Sequence, residues 1–92
     1  MIQLRFENRI YEISGNFSTV CEIEDELGSI GELLEKITQN RLKIAELAVI
    51  IQILLQSKGK TADYLQLGNL MLQEGVENYR AAAKKFFQMI MK

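Results

Sequence analysis

The sequence predicts a mainly α-helical fold of the α+β type: an N-terminal β-hairpin followed by about five helices in a single compact domain. Three observations predict it. The first thirteen residues alternate in polarity, which is the period of a strand, and the alternation breaks at Glu7-Asn8. Beyond them, apolar residues recur every three or four positions in segments separated by glycine or asparagine. The length of 92 residues suits one domain, and 48% hydrophobic with 25% charged residues is ordinary for a globular chain. The expected organisation is one domain over residues 1–92, with the hairpin in 1–14 and a helical bundle in 17–92.

IQLRF and RIYEI form the hairpin. Ile2, Leu4 and Phe6 share one face, and Tyr11 and Ile13 can meet them across the pair. Asn8 tolerates the left-handed backbone that a two-residue turn needs. An isolated hairpin is marginal in water, so this one is expected to lie on the helices with its apolar face down. Ser14-Gly15-Asn16 ends it.

Thr19 and Glu22 fit a capping box for the first helix, with Phe17 as a hydrophobic staple and Gly28 as the stop. Ser29 and Glu32 repeat the box for the second, whose stripe is Ile30, Leu33, Leu34 and Ile37 and whose stop is Asn40. The third helix spans about Leu42 to Ser57 and is apolar on nearly all sides, so it is expected to be central or covered by a partner. Lys58-Gly59-Lys60 breaks the chain. Thr61 is the expected cap of the fourth helix, with Tyr64, Leu67, Gly68, Met71 and Leu72 on its packing side. Gly75 ends that helix. The last runs from about Val76 to Met91 and carries Tyr79, Ala83, Phe86, Phe87 and Ile90 inward, with Arg80, Lys84 and Lys85 outward.

The chain has no histidine. The side chain that most often moves protons near neutral pH is therefore missing, together with the commonest transition-metal ligand. Triads built on histidine are impossible. A single cysteine, Cys21, makes no internal disulfide and sits among acidic neighbours that disfavour a thiolate. These features suit an intracellular protein that lacks the usual side chains of catalysis, and no cofactor or metal is expected. The most apolar window, residues 46–55, is about half of what a bilayer span needs. No membrane partner is expected.

Two motifs carry a chemical alternative. Gly59-Lys60-Thr61 is the tail of a phosphate loop, but its first glycine should stand where Leu54 does, so a helix–helix turn is the reading. Glu22, Glu24, Asp25 and Glu26 could attract a divalent cation, with Glu22 and Glu26 on one face. No loop supplies further oxygens, and a solvated helix face accounts for the same residues.

Charge is uneven. Residues 1–40 carry eight acidic side chains against Arg5, Arg9 and Lys36, a net of −5, and residues 41–92 carry eight basic against four acidic, a net of +4. Such polarity suits an interaction module, or a homo-oligomer packed head to tail. The basic half is modest and its aromatics fall at helix-core spacing, which argues against nucleic acid. The alternative to a protein-binding role is a small helical regulatory or DNA-contacting module using Arg80, Lys84 and Lys85.

The order FENRIYEI, FSTVCEIEDELG, SIGELLEKI, LKIAELAVIIQILL, LGNLMLQEG and a final AA-x-x-FF resembles the small phage tail-assembly chaperone family that accompanies gene transfer agents and prophages. The likeness spans almost the whole chain and rests on spacing and hydrophobic pattern. Asn8 departs from it, where a glycine is expected in the turn. The resemblance implies a chaperone that coats the helical tape-measure protein and helps to recruit tail-tube subunits in the bacterial cytoplasm. It carries over no catalytic residue. Partner contact is then expected at Ile50, Ile53, Met71, Phe86, Phe87 and Met89, adaptable apolar side chains that could line a groove for a helix.

Overall fold

Glu7 and Asn8 adopt φ of 51° and 64°, a left-handed pair that closes a two-residue hairpin turn. It joins β1 (Ile2–Phe6) to β2 (Arg9–Ile13), antiparallel from Phe6↔Arg9 to Ile2↔Ile13. Ile2, Leu4, Phe6, Tyr11 and Ile13 are all buried on the lower face, as the alternation predicts. The computed structural model describes all residues from Met1 to Lys92.

Helix α1 (Phe17–Leu27) starts earlier than expected. Asn16 rather than Thr19 caps it, accepting from the Ser18 amide at 2.8 Å. Thr19 instead is buried one turn in, and Phe17 is 81% exposed rather than stapled to the helix. Gly28, at φ 100°, turns the chain into α2 (Ile30–Thr38). Ser29 caps α2 as predicted, accepting from the Glu32 amide at 3.2 Å. Its first turn has a second acceptor in Glu24 of α1, which takes the Ile30 amide at 2.9 Å. At the far end Asn40, with φ 58°, closes a Schellman motif in which the Arg41 amide donates to the Lys36 carbonyl at 2.7 Å.

Helix α3 (Ile44–Gln56) is shorter than the sequence suggests. Glu46 reaches back to accept from the Lys43 amide at 3.1 Å, which fixes its start. Gly59, at φ 79°, lets the Lys60 amide close on the Leu55 carbonyl at 3.0 Å. Asp63, not Thr61, caps α4 (Tyr64–Glu74), accepting from the Gln66 amide at 3.1 Å. Both residues are eligible caps, and Asp63 stands three residues before Gln66, whose amide it satisfies. Gly75 ends α4, and α5 (Glu77–Ile90) follows.

All seven elements feed one core. Helix α3 is its centre and packs against α1, α4 and α5. Its residues Leu47, Ala48, Ile50, Ile51, Ile53, Leu54 and Leu55 are all buried, so its apolar circumference is consumed within one subunit. Phe86 and Phe87 of α5 meet edge to face with centroids 6.2 Å apart. Lys60 ties the α3–α4 turn to the hairpin: its Nζ lies 3.0 Å from Glu7 Oε1 and 5.8 Å from the centre of the Phe6 ring.

Candidate functional site

Helix α4 is apolar on two sides. Leu67 and Met71 face the core, and Tyr64 donates from its hydroxyl to the Ala45 carbonyl of α3 at 3.2 Å. Gln52, the polar break in the apolar α3 window, anchors the approach to α4 by donating to the Ala62 carbonyl at 2.9 Å. On the opposite side, Leu65 is 72% exposed and Leu72 61% exposed. Seven residues apart, they stand on one stripe about two helical turns long. Gly68 lies between them, with nothing near the position its Cβ would take, so it serves no close approach within the subunit. Helical spacing alone places Leu72 on the packing side and does not single out Leu65, whereas the structure exposes both. The available signal was number: Tyr64, Leu65, Leu67, Leu70, Met71 and Leu72 exceed what one inward stripe can hold.

Five of the six side chains expected to contact a partner lie in the core. Ile50, Ile53, Met71, Phe86 and Phe87 are buried, and only Met89 is half exposed. The reason is geometric: α3 and α5 meet neighbours on several sides, so residues that looked surplus to one stripe fill second and third contacts. The large apolar side chains that reach solvent are others, chiefly Phe17, Leu65, Leu72 and Ile10.

The acidic run of α1 forms no cluster of three groups able to hold a metal ion. Glu22, Asp25 and Glu26 edge a shallow groove whose apolar part is Val49, Ile53 and Tyr64. Cys21 is half buried and free. Of the basic residues proposed for DNA, Arg80 is engaged: its Nη1 donates to Asn40 Oδ1 and to Glu77 Oε1, each at 3.1 Å. The one strongly perturbed titrating group is Tyr79. Burial pushes its hydroxyl up, and the hydrogen bond to Glu74 at 2.6 Å and the charges of Glu74 and Glu7 add to the rise. Tyr79 thereby holds the end of α4 to α5, a structural role.

A family model described as "Phage tail tube protein, GTA-gp10" matches residues 1–92. The chain belongs to the GTA-gp10 phage tail family. Its role therefore lies in the structure or assembly of phage-type tails, and the family is a structural one rather than an enzyme family. Comparison with curated proteins and with solved structures returned no match. No helix of this GTA-gp10 family chain is long and apolar enough to cross a membrane.

Proposed function

We propose that this GTA-gp10 family member is a non-enzymatic tail-assembly chaperone that holds helical segments of a tape-measure or tail-tube partner in the bacterial cytoplasm. The observation that carries this reading is the outward stripe of α4. Leu65 and Leu72 present apolar surface on a helix already packed on its other side, and Gly68 leaves the space between them low. An amphipathic partner helix could lay its apolar face there, at about 25 cal/mol per Å² of surface removed from water. Met89, half buried near the end of α5, is the remaining candidate contact from the sequence. The other five would contribute only if the core opened.

The test is co-expression with the tape-measure protein encoded at the same locus. The reading expects the tape measure to be soluble with the wild-type chain and to precipitate with Leu65→Ser/Leu72→Ser. Equal solubility of the tape measure in the absence of this chain defeats the holding role.

A further inference from the structure

Helix α4 is held from one side. It packs closely on α3 alone, whereas α1, α2, α3 and α5 each pack on two or more elements. Leu67 and Met71 are its only buried side chains. The hairpin stands on another flank, yet a pocket of about 130 Å³, lined by Phe6, Leu67 and Leu70 among others, opens between them. Side chains that face such a space lack part of the dispersion contact that a filled core gives.

The polar ties of α4 lie at its ends. Gln52 donates to the Ala62 carbonyl just ahead of it at 2.9 Å. Tyr64, its first residue, donates to the Ala45 carbonyl at 3.2 Å, and Glu74, its last, accepts from Tyr79 at 2.6 Å. No hydrogen bond joins residues 66–73 to another element. The chain on either side can pivot. Residues 60–63 form no regular element, and Gly75 turns at φ 94° with open space where a Cβ would stand.

We propose that α4 leaves the core as one unit, pivoting on residues 60–63 and on Gly75, while the hairpin and the other four helices stay packed together. Closed, α4 shows Leu65 and Leu72 to solvent. Open, it adds Leu67 and Met71 and bares the flank of α3 beneath them, so apolar surface grows on both sides of the opening. The inference goes beyond the holding reading and does not rest on it, because the opening is a property of the chain alone.

The test is native-state amide exchange, followed by NMR on the full chain over a series of low urea concentrations. Once undocked, an eleven-residue helix with Gly68 near its middle is marginal in water and exchanges its amide protons. The amides of Leu70, Met71 and Leu72 are therefore expected to exchange through one common opening, at least about 100-fold faster than the slowest amides of α3 and α5. Their urea dependence should be the smaller, since less surface is exposed. A second arm uses Ile37→Val, a mild change at a buried position of α2, a helix that packs on α1 and α5. It should speed the slowest α3 and α5 amides about threefold to tenfold and leave those of α4 unchanged. Three results overturn the proposal: α4 amides as slow as the slowest of α3 and α5, rates that fall off residue by residue from one end of α4 without urea dependence, or Ile37→Val speeding α4 as much as α3.

Discussion

Glu24 of α1 accepts the amide of Ile30 in α2 at 2.9 Å, so one helix caps the next across the Gly28 turn. The contact explains part of the acidic run. One carboxylate of Glu22, Glu24, Asp25 and Glu26 has a structural partner, and its charge sits at a helix N-terminus where it is favoured. Glu24→Ala should cost about 1 kcal/mol of stability, the usual loss for a missing N-terminal cap, with Glu22→Ala near neutral. Urea denaturation of the two variants measures the difference, and equal midpoints would remove the cap from the account.

Core and stripe should separate cleanly by mutation. Phe86→Ala leaves a cavity beside the Phe87 ring at the centre of the molecule, and about 3–5 kcal/mol should be lost. Leu72→Ser removes a side chain that is 61% exposed, and stability should change by no more than about 0.5 kcal/mol. Partner holding should follow the opposite order among folded proteins. A Leu72→Ser variant that denatures as early as Phe86→Ala would show that α4 packs outward side first.

Gly59 closes α3 at φ 79°, with open space where a Cβ would go, so the only penalty for a side chain is backbone strain. Gly59→Ala should destabilise by about 1 kcal/mol. Asn40 holds the equivalent position after α2 at φ 58°. Asn40→Gly relieves the strain but removes the acceptor of Arg80, and a small net change is expected. Thermal melts of both variants check the pair.

Tyr79 makes stability depend on alkaline pH. Its folded-state pKa is raised above the ordinary value of 10.0, chiefly by burial. Its contribution is complete below the unfolded value. Above it the unfolded chain releases the proton while the folded chain keeps it, so stability falls as pH rises toward the folded value. Tyr79→Phe should flatten this part of the profile relative to wild type. Parallel profiles above pH 10.0 would exclude Tyr79 as the source.

Local pattern made much of the fold legible. The hairpin register, the left-handed Asn8 turn, the Ser29 cap and the stops at Gly28, Asn40 and Gly75 all follow from a few neighbouring residues each, and all are present. Where two eligible caps stood close together, the choice was not legible. Asn16 and Asp63 displaced Thr19 and Thr61: Asn16 lies before its rival and Asp63 after, and each takes the amide two or three places on, that of Ser18 or Gln66.

From the order of its residues alone the chain carried its element sequence, its lack of histidine and the pattern that places it among phage tail proteins. Tertiary packing decided which oily side chains remain outside. Periodicity shows that a helix has an apolar side, yet not how many neighbours will press on it. Surrounded by α1, α4 and α5, α3 spent Ile50 and Ile53 on the core, whereas α4, fixed chiefly through α3, kept Leu65 and Leu72 for solvent.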